Sequence, residues 1–105
     1  MSKYVDGIIG HAIGEAMGST VEFESRNKLF KNPVTKMIGY DSYNASLGIW
    51  SDDIAMEYAT IDSFVNKECF DYKDIMRNFN SWLEKNKFTT DCEVFDVENF
   101  CMQSI

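Results

Sequence analysis

The chain has 105 residues, of which 45% are hydrophobic and 14% aromatic, and it carries a formal net charge of −7. This length corresponds to one domain, and the apolar content is too high for a disordered chain. The acidic excess argues against nonspecific binding to a nucleic-acid backbone, which needs clustered lysine and arginine, and favours metal binding or docking onto the basic surface of a protein partner.

The cysteine and histidine content argues against a zinc site. The three cysteines, Cys69, Cys92 and Cys101, show no Cys-x-x-Cys spacing, and His11 is the single histidine. Scattered thiols of this kind are typical of a reducing compartment. The first residues lack signal-peptide architecture, and no apolar run approaches the length of a membrane span. We therefore expect a cytoplasmic protein that does not insert into a membrane.

The opening segment predicts a helix with two contrasting faces. Apolar residues recur at helical spacing along one face, namely Val5, Ile8, Ile9, Ala12, Ile13, Ala16 and Met17. Glycines recur along another, namely Gly7, Gly10, Gly14 and Gly18. Glycine costs roughly 1 kcal/mol against alanine inside a helix, so four of them need a reason. The pattern favours close contact with another helix and leaves open the approach of a ligand to bare backbone.

The middle of the chain is the least regular part. Pro33, Gly39 and Gly48 interrupt residues 19–50, a length of loop that is typical of ligand-facing segments. Within it, residues 25–31 predict a short helix. Residues 34–40 have the composition of an extended segment, although an otherwise helical chain offers a strand no partner.

The second half of the chain predicts three further helices. The first begins at Ser51, with Ile54, Tyr58, Ile61 and Val65 on one face. The second follows a capping residue, Asp71, and buries the stripe Tyr72, Ile75, Met76, Phe79, Trp82 and Leu83. A capping-box spacing between Thr90 and Glu93 opens the last, which runs through Phe95 and Phe100 to Ile105. The predicted fold class is all-α, a small helical bundle with one long irregular loop.

Two adjacent acids stand out in the segment 48–56, GIWSDDIAM. Ser51 is a good N-cap, and Asp52 and Asp53 then occupy a first turn in which acids are common. Alternatively, the hydroxyl and the two carboxylates are oxygen ligands for a hard cation such as Mg²⁺ or Ca²⁺. Local chemistry favours the plain helix start.

Taken in order, five segments resemble the ADP-ribosylglycohydrolase family. They are residues 10–18 (GHAIGEAMG), 20–23 (TVEF), 34–39 (VTKMIG), 48–56 (GIWSDDIAM) and 95–98 (FDVE). The resemblance covers nearly the whole chain but only the opening part of the family's domain. It implies that residues 1–105 form a single, truncated domain of this kind.

The resemblance also implies a site. In the family, the hydroxyl and the two acids of a Thr-Asp-Asp motif bind a pair of Mg²⁺ ions, and the matching residues here are Ser51, Asp52 and Asp53. Glu22 matches an acid near the ADP-ribose site, so the implied catalytic residues are Glu22, Asp52 and Asp53. The backbone that would face the ligand is that of Gly14 and Gly18.

The departures from the family pattern indicate lost chemistry. Glu15 replaces an aspartate, Ile54 replaces a threonine, and Glu98 replaces a glycine. The remaining metal ligands of the family lie downstream of residue 105. Half a coordination shell binds Mg²⁺ poorly, because that ion demands near-ideal octahedral geometry.

Together these features favour a catalytically inert remnant that acts as a protein-binding or inhibitory module. A phage or mobile-element protein directed against host defence, of the anti-CRISPR type, is the analogy we draw. We expect a partner with a basic surface, and self-association through apolar surface left by absent helices. The alternative is a Mg²⁺-dependent hydrolase that removes ADP-ribose from a modified protein or small molecule. A third reading is a non-hydrolysing ADP-ribose binder. Whether the chain is an enzyme is left open.

Overall fold

The computed structural model describes residues 2–38, 48–89, 94 and 99–105, and over these residues it contains helices and no strand. The helices are α1 (Lys3–Ser19), α2 (Arg26–Lys31), α3 (Asp52–Lys67), α4 (Tyr72–Lys85) and α5 (Asn99–Ser104). The all-α prediction is confirmed. The chain divides into two compact units, residues 1–50 and residues 51–105, which are described separately below.

In the first unit, polar caps define the ends of both helices. The Ser2 hydroxyl accepts the N–H of Tyr4 at the start of α1, at 3.2 Å. The Thr20 hydroxyl donates to the Met17 carbonyl at its end, at 3.3 Å. The short helix predicted at residues 25–31 forms as α2, because the Ser25 hydroxyl accepts the N–H of Lys28 at 3.2 Å.

Helix α1 leaves most of both its faces open. The side chains of Val5, Ile8, Ile9 and Ile13 are between 41% and 46% exposed, whereas Ala16 on the same face is buried. On the glycine face, a Cβ atom added at Gly7, Gly10, Gly14 or Gly18 would meet no atom within 4 Å. Among the described residues, the close helix contact that the glycine pattern favoured is not seen at these four positions. Open space at all four positions leaves the ligand alternative standing.

The segment after α2 is irregular where it is described. Residues 32–38 contain no strand, so the extended segment predicted at 34–40 does not form one over its described part, and residues 39 and 40 lie outside the described residues. Gly48 has a φ of +80°, in the left-handed region that favours glycine. A Cβ atom there would lie 3.7 Å from the Met37 Sδ atom, an ordinary contact.

In the second unit, α4 folds back along α3. Near the end of α3, the Phe64 ring lies 5.2 Å from the Phe70 ring in the loop that joins α3 to α4. Contacts continue at mid-helix, where the Asn78 amide donates to the Ala59 carbonyl at 2.9 Å. They end with the Tyr58 and Phe88 rings at 5.3 Å. This succession of pairs is that of an antiparallel helical hairpin.

The buried residues of the hairpin differ from the predicted faces. Helix α3 buries Ile54 and a row of small residues, Ala55, Ala59 and Ser63, whereas Tyr58 and Val65 of the predicted face are exposed. Small residues occupy these positions because they let α4 approach α3 closely. On α4, Ile75 and Trp82 are buried as predicted, but Tyr72 and Met76 at the start of the stripe are exposed. The stripe is therefore core at Ile75 and Trp82 but not along its whole length.

The capping predictions in this unit have mixed outcomes. Asp71 caps α4 as predicted, with its carboxylate accepting the N–H of Asp74 at 3.1 Å. The Thr90 and Glu93 pair and Phe95 lie outside the described residues. Of the predicted final helix, Asn99–Ser104 forms α5, whereas Val94, inside the predicted span, is not helical. Among the helices described, none is long and apolar enough to cross a membrane.

Candidate functional site

Ser51 stands at the N-cap position of α3 without acting as a side-chain cap. Its carbonyl accepts the N–H of Ala55 at 3.2 Å and so begins the helix, but its hydroxyl makes no capping hydrogen bond. The hydroxyl instead donates to the Asp52 Oδ1 atom over a long 3.4 Å. The expectation of a plain N-cap is therefore correct for the backbone and wrong for the side chain.

The Asp52 carboxylate is turned toward the start of its own helix. Its Oδ1 atom accepts the backbone N–H of Asp53 at 2.9 Å, and both Ser51 and Asp52 are buried. The unsatisfied N–H groups of a helix N-terminus favour negative charge, which offsets the cost of burying this carboxylate. Asp53, by contrast, is exposed. The structure thus brings Ser51 and Asp52 together and places Asp53 on the solvent side of the same turn.

These residues supply part of what a hard cation needs. A hydroxyl and carboxylate oxygens are the donor types that Mg²⁺ takes, and the Ser51 and Asp52 oxygens already lie side by side. Within residues 2–38, 48–89 and the other described positions, no group of three or more His, Cys, Asp or Glu side chains could hold a metal ion. The donor set fits one side of a Mg²⁺ coordination shell, and the remaining positions would fall to water, ligand or further residues.

Glu22 lies in the first unit, on a tight turn that follows α1. The turn is held by backbone hydrogen bonds from Val21 to Gly18 at 3.1 Å and from Glu22 to Ser19 at 3.4 Å. The side chain of Glu22 is half-buried. Gly18 and Glu22 are thus joined through one turn, and the open glycine face of α1 leads into it.

Phe23 is the last residue of the segment 20–23, and its backbone geometry adds it to the candidate site. Its backbone has a φ of +68°, in the left-handed region, and its side chain is 87% exposed. An aromatic residue in this conformation is unusual, and such backbone positions concentrate at functional sites. Its position directly after Glu22 makes it a candidate ligand contact. No turn signal of glycine or asparagine announces the left-handed residue, so sequence inspection could not have found it.

Comparison with known proteins places this sequence in a family. The sequence model of the ADP-ribosylglycohydrolase family matches residues 1–105. The ADP-ribosylarginine hydrolase Tri1 of Pseudomonas putida (strain GB-1) is 29% identical over 92 residues, which are 88% of this chain and 24% of that protein. Tri1 of Serratia proteamaculans (strain 568) is 27% identical over 99 residues, covering 94% of this chain and 26% of the relative.

A third relative gives the same picture. The ADP-ribosyl-[dinitrogen reductase] glycohydrolase of Rhodospirillum rubrum is 29% identical over 105 residues, which cover 98% of this chain and 33% of that protein. This chain thus spans a quarter to a third of the length of these curated relatives. No solved structure matches it. The match over all 105 residues shows that the chain belongs to the ADP-ribosylglycohydrolase family.

Proposed function

We propose that these 105 residues carry the opening half of the metal and substrate site of a Mg²⁺-dependent ADP-ribosyl hydrolase. The names of the relatives give ADP-ribosylarginine and ADP-ribosyl-dinitrogen reductase as their substrates. From these names we take an ADP-ribosylated protein side chain as the substrate class. A modified small molecule is the further substrate that the same site would admit.

The arrangement of Ser51 and Asp52 is the observation that carries this proposal. If the segment were only a helix start, the Ser51 hydroxyl would cap α3 as Ser25 caps α2, yet it makes no capping bond and lies beside the Asp52 carboxylate. Both residues are buried, and limited solvent access is one of the features by which a protein tunes a metal site. The pair therefore resembles half of a cation site more than a cap.

Each residue has a distinct task in this proposal. The oxygens of Ser51, Asp52 and Asp53 would hold the cation, and the Glu22 carboxylate would accept a hydrogen bond from a ligand hydroxyl. When bound, the cation would orient the ribose and stabilise charge on a displaced oxygen. The bare backbone at Gly14 and Gly18 would admit the ligand close to α1, since no atom of the described residues lies within 4 Å of a Cβ added at either position.

Residue-resolved NMR tests the metal half of the proposal. Mg²⁺ is titrated into ¹⁵N-labelled chain, because chemical shifts report even weak binding by a partial site. We expect shifts concentrated at Ser51, Asp52 and Asp53, which vanish in Asp52→Asn. The matched control is Asp6→Asn, which removes the same charge from an exposed position on α1 and should leave the response intact. No shift at these three residues, or equal shifts at all acidic positions, would contradict the proposal.

A second candidate function retains the fold of the family but has no catalytic activity. In it the chain is an inert protein-binding or inhibitory module, such as a phage or mobile-element protein directed against host defence, whose acidic surface docks on a basic partner. The open apolar side chains of α1 favour it, since exposed apolar surface marks interaction sites. The buried Ile54, which offers no oxygen beside the two acids, is a second argument.

The two candidates differ in the response to Asp52→Asn. A hydrolase site loses Mg²⁺-dependent ADP-ribose binding with this substitution, whereas an inert module has no such binding to lose. An inert module would retain its affinity for its partner in the same variant. ADP-ribose binding measured with and without Mg²⁺, in the unsubstituted chain and in Asp52→Asn, therefore separates the two.

A further inference from the structure

The turn that follows α4 is strained at an aromatic residue. We define the α4 exit turn as residues 86–89. Within it, Phe88 has a φ of +63°, in the left-handed region that a side chain with a Cβ atom disfavours. Asn86 is left-handed too, but asparagine tolerates that conformation at the end of a helix. Strained residues persist only where their surroundings fix them, and they concentrate at functional sites.

The surroundings of Phe88 fix the α4 exit turn from two sides. On the side of α4, the Asn86 N–H donates to the Trp82 carbonyl at 3.1 Å, and the Thr89 hydroxyl donates to the Asn86 carbonyl at 2.8 Å. On the side of α3, the Phe88 ring lies 5.3 Å from the Tyr58 ring. The strained backbone therefore holds an aromatic contact between the exit of one helix and the flank of the other.

This contact lies at the end of the hairpin that carries the candidate site. Tyr58 is six residues after Asp52, which is about 9 Å along the helix axis. The Phe64 and Phe70 rings make a similar contact, 5.2 Å apart, at the opposite end of the hairpin. Phe64 is about 18 Å along the axis from Asp52. The two ring contacts thus differ mainly in their distance from the site.

The start of α3 lacks the side-chain cap that the other helix starts have. Ser2, Ser25 and Asp71 each accept a backbone N–H at the starts of α1, α2 and α4, whereas Ser51 makes no side-chain capping bond. A helix end without a cap opens at a small cost in free energy. A ring contact in the second turn of α3 opposes this opening and so keeps the Ser51 and Asp52 oxygens together.

We propose that Phe88 is a positioning residue for the pair formed by Ser51 and Asp52. It acts through Tyr58, by holding the first turns of α3 in helical form against the α4 exit turn. The inference rests on the proposed function in taking this pair as half of a metal site. The order that Phe88 gives to the pair is nevertheless measurable without any metal.

Two matched variants of the full, ¹⁵N-labelled chain test the inference by NMR. Phe88→Leu and Phe70→Leu each remove one ring contact of the hairpin. The reporter is the Asp53 amide, whose N–H donates to the Asp52 carboxylate. Without metal, we expect its hydrogen-exchange rate to rise by about threefold or more in Phe88→Leu and to stay unchanged in Phe70→Leu. Tyr58→Leu breaks the same contact from the side of α3 and gives the same test if Phe88→Leu lowers the helicity of the chain.

The metal-free result decides the inference. Equal Asp53 exchange rates in Phe88→Leu and Phe70→Leu, or no change in either variant, would overturn it. Added Mg²⁺ then distinguishes it from the proposed function. If the Asp53 amide depends on Phe88 but does not respond to Mg²⁺ in the unsubstituted chain, the positioning role stands and the proposed function fails. If the unsubstituted chain and Phe88→Leu bind Mg²⁺ with equal affinity, the proposed function stands and the positioning role fails.

Discussion

The backbone N–H of Asp53 donates to the carboxylate of Asp52 across 2.9 Å, within the first turn of α3. Asp52 thereby supplies its own helix with a capping acceptor. The Ser51 hydroxyl is displaced from that task and lies against the same carboxylate. At this helix start Asp52, and not the N-cap residue Ser51, accepts a backbone N–H. The Ser51 hydroxyl and the Asp52 carboxylate, both possible metal-ligating oxygens, therefore lie together in a buried position.

This arrangement predicts an unequal response of two N-cap positions in the same unit. Ser51→Ala should lower the free energy of unfolding by no more than about 0.5 kcal/mol, because no capping bond is lost. Asp71→Ala should lower it by about 1 kcal/mol, since the Asp71 carboxylate accepts the Asp74 N–H. Urea unfolding of the two variants gives the comparison. Equal losses would show that Ser51 acts as an ordinary cap.

Asn78 is expected to be the main polar link of the hairpin. Its amide donates to the Ala59 carbonyl at 2.9 Å and to the Asp62 carboxylate at 3.3 Å. Asn78→Ala should lower the free energy of unfolding by about 1–2 kcal/mol, and Asn78→Asp by more, because its carboxylate would face two acceptors. Asn80→Ala, at an exposed position, is the control. An effect of Asn78→Ala no larger than that of the control would contradict this role.

Ser63 is a position where a smaller side chain should stabilise the protein. Its hydroxyl is fully buried and has no hydrogen-bond partner among the described residues, and the Ala59 carbonyl one turn earlier accepts the Asn78 amide. A buried unsatisfied polar group costs roughly 1–3 kcal/mol, so Ser63→Ala should raise the free energy of unfolding by about 1 kcal/mol. Thermal and urea unfolding both measure it. A loss of stability would mean that the hydroxyl has a role in the native fold.

Two glycines should respond to alanine with opposite signs. Gly48→Ala should lower the free energy of unfolding by about 1 kcal/mol, because its φ of +80° is unfavourable for any residue with a Cβ atom. Gly10→Ala should raise it by up to about 1 kcal/mol, since its added methyl group meets nothing and alanine favours the helix. Urea unfolding of Gly48→Ala and Gly10→Ala, each compared with the unsubstituted chain, tests both signs. Stabilisation by both would show that the Gly48 backbone can relax.

Local signals predicted most of the helices. Ser25 and Asp71 predict the starts of α2 and α4, because a capping side chain accepts a hydrogen bond from a backbone N–H only three residues away. The buried face of α3 was predicted only in part. Ile54 is buried as expected, but the small residues Ala55 and Ala59 face α4 and carry little periodic signal of their own. Periodicity in the sequence indicates that a helix has an apolar face. Which element packs against that face depends on residues far apart in the chain.

The candidate site was predictable as residue types and not as geometry. The hydroxyl and the two acids are plain in the sequence, but the orientation of Ser51 depends on competition with the Asp52 carboxylate for the same N–H groups. The left-handed backbone of Phe23 has no sequence signal at all. The orientation of a side chain and a left-handed backbone conformation depend on neighbours in space, which the amino-acid sequence does not give.

The most direct test of the central claim is a calorimetric titration of ADP-ribose into the chain, with and without Mg²⁺. If the chain carries half of a hydrolase site, the binding heat requires Mg²⁺ and disappears in Asp52→Ala, whereas Asn80→Ala retains it. If no heat is measured in either condition, or if the heat is indifferent to both Mg²⁺ and Asp52, the metal and substrate site proposed here does not exist.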